Sequence, residues 1–430
     1  MRIALLGALA CLLFAFIARQ DAGATTGLDE LAREYLFLEL SMGQHDPNHV
    51  DAYFGPEDIR QAAVEAALPL AEIDARANDL AEHLQGLLER TDDEREAARI
   101  EGLLGRLRAL TTRIAINEGE EIPFDEESRR LFGVAAPDYD AGHFAAILEK
   151  IDKLVPGEGP LAARVDAFRN KFVVPDERLE AVFAAAIAEC RRRTLEHIEL
   201  PENESFRLEY VTDKPWTGYN WYQGDAHSLI QINRSLPIYV SRAVDLGCHE
   251  GYPGHHTFNA LLEENLVEDA GWIEFSLYPL FSPQSLIAEG SGNYGIELAF
   301  PGDERVEFEK RELFPLAGLD PAQAERYYAL LDLLEELSYA GNEAARDYLN
   351  GRISREEAVA WLVDYTLTSP ERARQRVDFF DTYRSYVINY NLGQDLVRQY
   401  VERGADSEDE RWQRFEQLLS TPVQTSDLAM

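Results

Sequence analysis

Between Glu72 and Ile116 the apolar residues recur at steps of three and four: Leu84, Leu87 and Leu88, then Ile100, Leu103, Leu104, Leu107, Leu110 and Ile114. That spacing lays an apolar stripe along one side of an α-helix. The polar run Thr91-Asp92-Asp93 interrupts the stripe, which predicts two helices joined as a hairpin. Pro156 to Pro160 (PGEGP) reads as a loop, and Asp176 to Ile198 as a further amphipathic helix. The period then changes. FRLEYV (Phe206 to Val211) and SLIQIN (Ser228 to Asn233) alternate apolar and polar positions and predict short strands, with the aromatic KPWTGYNWYQG between them as a loop.

Helical patterning resumes near Pro237. Asp320-Pro321 places an N-cap before a proline at the first helical position. Ser354 with Glu357 forms a capping box, and Ser369-Pro370 starts another helix. The pattern contains no internal repeat and no low-complexity linker. It predicts a mainly α chain in one large helical domain, residues 25–430, with a small β-sheet inserted just before a histidine cluster. A split into two lobes around a cleft is the variant of this plan. The site region spans residues 206–300 and a C-terminal helical part spans 303–420.

At 430 residues and 46% hydrophobic content the chain is globular. It has 41 Lys and Arg against 78 Asp and Glu, a formal charge of −37. Such a surface repels phosphate backbones and anionic lipids, which argues against nucleic acid as a partner. Residues 1–24 begin with a positive Met1-Arg2, continue through a 16-residue apolar run to Ala18, and end in small residues around Asp21 to Ala24. The run is short for a membrane span, and the pattern is that of a secretory signal peptide. A lipoprotein signal on Cys11 fits poorly, because Cys11 lies deep in the apolar run. The mature chain is therefore expected to be extracytoplasmic, without membrane contact once the leader is cleaved. Only Cys190 and Cys248 then remain. One disulfide is possible, but the expectation for Cys248 is a small buried helical residue.

The chemistry concentrates in CHEGYPGHHTF, Cys248 to Phe258. A zinc protease usually carries HExxH on one helix face, but four residues beyond His249 stands Pro253, which cannot bind a metal. On a straight helix His255 would face the wrong way, and His256 would lie about 10 Å along the axis. Pro253 lacks the N–H that bonds to the carbonyl of His249, and Gly254 permits unusual backbone conformations. A bulge absorbing two residues would bring His255 beside His249. His255 is the preferred second ligand and His256 the alternative. Glu289, in an apolar helical stretch and followed by Gly290 and Gly292, is the candidate third ligand, because a buried glutamate needs a partner or a metal. Glu297, eight residues on, could support it; Asp245, one turn before His249, could orient the imidazole, but a solvated surface acid is the expected reading.

HEGYPGHH followed by Glu289-Gly290 and its downstream Tyr294 and Glu297 resembles a large, often secreted bacterial family of unknown function. Its hallmarks are HExxPGHH and an EGWA-type helix, and it is regarded as a group of zinc metallopeptidases related in fold to the mostly helical gluzincins. SLIQIN, LPIYVSRAVDLGCHE and RVDFFDTYRSYVINYNLGQ resemble its flanking segments. The resemblance implies a zincin-like helical fold and one zinc ion held by His249, His255 or His256, and Glu289. It also implies Glu250 as general base and Tyr390 as oxyanion donor, with Tyr386 as the alternative donor. Two positions depart from the family: Ser291 stands for its tryptophan, and Arg384-Ser385-Tyr386-Val387 replaces its Pro-Gly-Gln-Ala.

The expected activity is peptide hydrolysis by a zinc-activated water, with Glu250 moving the proton. SLIQIN, through Ile232 and Asn233, could hold an extended peptide by strand addition. Arg376 and Arg384 could bind a substrate carboxylate. The competing readings are a secreted helical protein that binds peptide or metal without catalysis, and a zinc hydrolase of a non-peptide amide or ester.

Overall fold

The computed structural model describes residues 27–214 and 216–428. The expected leader, residues 1–24 with Cys11, lies outside them. The hairpin forms as the apolar stripe predicts, from helices Leu70–Leu88 and Glu94–Asn117, and Asp93 caps the second by accepting from the amides of Arg95 and Glu96. Ser354 and Glu357 make both bonds of the capping box, and Ser369 accepts from the Arg372 amide to start helix Pro370–Tyr383. The fold is mainly α, and no helix among the described residues is long and apolar enough to cross a membrane.

Among the described residues, five short strands interrupt the helices. Strand β1 (Val50–Tyr53) pairs antiparallel with β5 (Leu277–Pro279). Strand β2 (Ser205–Val211) runs parallel to β4 (His227–Asn233), and β3 (Gly218–Gly224) lies antiparallel on the other side of β4. Strand β3 forms where the sequence pattern predicts a loop. Its residues are aromatic or polar on both faces, so no apolar alternation marks it. Asn220 and Tyr222 point inward, to the carbonyl of Glu250 and the carboxylate of Glu263, while Trp221 stays about half exposed.

The order β2-β4-β3 corrects the expected role of SLIQIN. Strand β4 is central, so both of its hydrogen-bonding edges are taken and no peptide can add there. Ile232 is buried, and the Asn233 amide ties the loop carbonyls of Lys214 and Trp216, each at 2.8 Å. Neither residue lines the cavity described below.

Buried apolar side chains form two clusters. One gathers the N-terminal helices with Leu277, and a larger one holds the rest of the chain. Helix Pro283–Ala299 packs against Ile388–Glu402 at backbone contact distance. A β-carbon on Gly290 would fall 2.4 Å from the backbone of Gly393. Side chains larger than hydrogen would hold these helices apart. Cys190 and Cys248 are joined by a disulfide, so Cys248 is more than the small packing residue expected from its sequence context.

Candidate metal centre

Helix Arg242–Leu246 runs directly into a π-helical turn, Gly247–Gly251, which carries His249 and Glu250. Tyr252-Pro253-Gly254 breaks the helix, and a new one starts at His255. At Gly254 a β-carbon would lie 1.9 Å from the carbonyl oxygen of His249, so only glycine fits the fold-back. The wide turn and the break together absorb the extra residues of the motif. As a result the rings of His249 and His255 stand 4.6 Å apart at 78°.

Glu289 reaches the same point from helix 283–299. Gly292, one turn further on, lets that helix close over the His249 ring, because a β-carbon there would sit 2.9 Å from Cε1 and Nδ1. The Nε2 of His249 lies 3.2 Å and the Nε2 of His255 3.9 Å from Oε2 of Glu289. One ligand atom from each residue falls within 4.8 Å of the others. Ligands bound tetrahedrally at about 2.0–2.1 Å are roughly 3.3 Å from one another, so a small contraction would close this group around zinc.

The surrounding hydrogen bonds orient the donors. Asn293 Nδ2 donates to the carbonyl of Tyr390 at 2.7 Å, which turns its Oδ1 toward His249 Nδ1 at 2.9 Å. That contact keeps a proton on His249 Nδ1, so that Nε2, once deprotonated, would present its lone pair between Glu289 and His255. Tyr386 donates to Oε1 of Glu289 at 2.7 Å, while the buried Oε2 faces only His249 Nε2 at 3.2 Å and His255 Nε2 at 3.9 Å. A buried carboxylate oxygen set between two imidazole nitrogens fits a divalent cation.

The charges are strongly coupled. Burial disfavours the His249 imidazolium, but its Nε2–H facing the Glu289 carboxylate at 3.2 Å and the charges of Glu250 and Glu289 outweigh it and raise the pKa to about 8. Burial and the neighbouring His249 lower His255 to about 4. Burial pushes the Glu289 carboxyl up, yet His249, His255 and Tyr386 hold it below its ordinary value. Glu250 has no such compensation. Burial raises it to about 7, with His249 opposing and Glu289 adding to the rise. A carboxyl titrating near neutrality can both accept and return a proton at working pH. Its Oε1 lies against β3, where any β-carbon on Gly218 would stand 2.7 Å away.

These residues line a cavity of about 700 Å³ bounded by β1, β3, the motif and helices 283–299, 370–383 and 388–402. Tyr390 and Arg376 also line it. The Tyr390 hydroxyl has no hydrogen-bond partner among the described residues, whereas Tyr386 is committed to Glu289. Arg376 lies over the rings of Phe379, Phe380 and Tyr390.

Four other expectations fail for identifiable reasons. His256 points away from the triad. Its Nε2 meets Glu204 at 3.1 Å and its Nδ1 meets Ser228 Oγ at 2.8 Å, in a fully buried cluster with Tyr252. Glu297 does not support Glu289; it pairs with Arg398 and accepts from Gln394. Arg384 is held by Glu127 at 2.7 Å and is structural. Asp245 pairs with Arg305 at 2.6 Å and Arg242 at 3.2 Å, leaving His249 to Asn293. The role of Asn293 had a signal in the sequence: it stands four residues after Glu289, on the same helix face. Tyr219 and Asp51 had none. They meet at 2.6 Å in the cavity wall from segments 168 residues apart.

The His256 cluster makes a testable contribution to stability. Burial would raise the Glu204 carboxyl, but hydrogen bonds from His256, Tyr252 and Arg191 bring it from 4.5 down to about 2. A depressed carboxyl stabilises the fold above its unfolded pKa and loses that effect as pH falls through the folded value. The window runs from about pH 4.5 to pH 2, and the shift corresponds to about 3 kcal/mol. Urea midpoints of wild type and Glu204→Gln are expected to differ most above pH 5 and to converge toward pH 2.5. A gap independent of pH would show that the carboxylate charge does not hold this cluster.

No family model and no curated protein matches the chain. Among solved structures, a candidate lipoprotein of Colwellia psychrerythraea is similar at 16% identity and a TM-score of 0.50, covering 86% of this chain and 71% of that one. A candidate lipoprotein of unknown function from Shewanella oneidensis is 13% identical with a TM-score of 0.49, covering 94% and 83%. An M32 carboxypeptidase from Deinococcus radiodurans R1 is 14% identical with a TM-score of 0.40, covering 90% and 88%. At such identities the likeness concerns fold alone.

Proposed function

We propose that this chain is a zinc-dependent hydrolase of peptide bonds. The observation that carries the reading is the convergence of Glu289 Oε2 with the Nε2 atoms of His249 and His255, at 3.2 and 3.9 Å. His249, His255 and Glu289 would hold the ion, with Asn293 and Tyr386 fixing the first and last of them. Zinc held there would supply a Lewis acid for the carbonyl and a water whose pKa falls from 15.7 to about 7. Glu250 takes a proton from the attacking water and delivers it to the amide nitrogen, so that the C–N bond breaks to give a carboxylic acid and an amine. The Tyr390 hydroxyl, unengaged and facing the cavity, donates to the oxygen on which charge develops. The Cys190–Cys248 disulfide and the leader read from residues 1–24 support work outside the cytoplasm, where disulfides persist.

The two histidines of the pair separate the roles. His255→Ala is expected to lower bound zinc from about one per chain to a small fraction, measured by metal analysis after gel filtration. His256→Ala is expected to keep the zinc while losing stability, because it removes the buried partner of Glu204 and Ser228. Zinc retention by His255→Ala, or its selective loss in folded His256→Ala, would reverse the ligand assignment.

A further inference from the structure

The cavity contains two opposite charges that do not satisfy each other. Arg376 is partly buried, and among the described residues it has no hydrogen bond and no carboxylate; it only covers aromatic rings, 4.7 Å from the centre of Phe379 and 5.7 Å from that of Tyr390. The other arginines of the wall are engaged. Arg242 and Arg305 share Asp245, and Arg372 bonds the carbonyl of Pro237.

Asp51 on β1 is the counterpart. Its Oδ1 accepts from Tyr219 at 2.6 Å, and no cation pairs with it among the described residues. Burial leaves it uncompensated and raises its carboxyl to about 7. A cation placed against it would restore its charge. Glu335, another acid of this wall, is exposed and hydrogen-bonded to Gln394. The two unpaired groups both line the cavity that holds the triad. Tyr383, within electrostatic reach of Asp51, packs its ring 4.6 Å from Phe379, the ring that Arg376 covers.

We infer that the cavity takes short peptides with both ends free, the terminal carboxylate bound by Arg376 and the terminal ammonium by Asp51, so that the cleaved bond lies between the two over the triad. This rests on the peptide-hydrolase reading above. A guanidinium suits a carboxylate because it can donate two parallel hydrogen bonds, and the aromatic rings beneath Arg376 hold its plane without using its donors. A cavity of about 700 Å³ has room for two or three residues. Capping either end would leave one buried charge unpaired, and that penalty is what makes the selection.

The test uses zinc-loaded full-length protein with dialanine, trialanine and decaalanine, and with the first two N-acetylated or C-amidated. Binding to Glu250→Gln protein, by calorimetry, is measured alongside cleavage by wild type. Free dialanine or trialanine is expected to bind and be cleaved, and either cap is expected to lower kcat/KM and affinity by about 30-fold or more. Asp51→Asn should lose its discrimination against the acetyl cap only, and Arg376→Met against the amide cap only. Equal handling of capped and free tripeptides overturns the proposal, and so does failure to bind any short peptide. Cleavage of decaalanine without cleavage of the short peptides overturns it while leaving the hydrolase reading intact. If no peptide is cleaved but the free ones bind selectively, the two-ended site stands and the hydrolase reading falls.

Discussion

Glu250→Gln is expected to retain about one zinc per chain while losing roughly 100- to 10,000-fold in peptide hydrolysis, the usual contribution of a positioned general base. The substitution is close to isosteric. The Asn220 bond to residue 250 goes to the backbone carbonyl, at 2.6 Å, and survives the change. The three candidate ligands do not include Glu250, so the metal remains. Stability should not fall, because the change removes a buried carboxyl whose burial already disfavours its charge. A thermal melt equal to or above that of wild type, with zinc present and turnover lost, isolates the base from the fold. Two outcomes contradict the assignment: loss of zinc, which would make Glu250 a ligand, and undiminished hydrolysis, which would put the base elsewhere.

The elements that local physics dictates were legible in the sequence, and those that depend on distant partners were not. The apolar stripe over 84–114 and the caps at Asp320, Ser354 and Ser369 are decided within a turn or two of helix, and each forms as its pattern predicts. The convergence of His249 and His255 also followed from local chemistry, since Pro253 denies the helix a donor and Gly254 alone can approach the carbonyl of His249. Position in the sheet was not readable in this way. SLIQIN has the alternation of a half-buried strand whether it lies at an edge or in the centre, and only its pairing with β2 and β3 settles the matter. Charged residues were the least readable class. Glu297 and Arg384 carry no sign of their partners Arg398 and Glu127, and Glu127 lies 257 residues from Arg384. Asp51 met the site through a strand pairing of β1 with β5 that no short-range pattern announces.

The disulfide ties this site to the stability of the whole chain. Cys190, in helix Leu179–Thr194, and Cys248, in the π-turn beside His249, are fully buried and 58 residues apart in sequence. Closing a loop of that length removes chain entropy from the unfolded state worth up to about 4 kcal/mol. Replacing both cysteines by alanine is expected to lower the urea midpoint by that amount at an unchanged slope, and either single replacement should cost nearly as much as the pair, since each breaks the same bond. The effect should also reach the metal. Gly247 packs on the same helix, where its β-carbon would stand 3.2 Å from Ile187, so the turn carrying His249 is clamped between that helix and helix 283–299. Without the bridge the turn can relax, and a chelator should strip zinc from the double variant at lower concentration than from wild type. Free thiols detected in unreduced, denatured wild-type protein would remove the bridge from this account, and the clamp on His249 would then rest on packing alone.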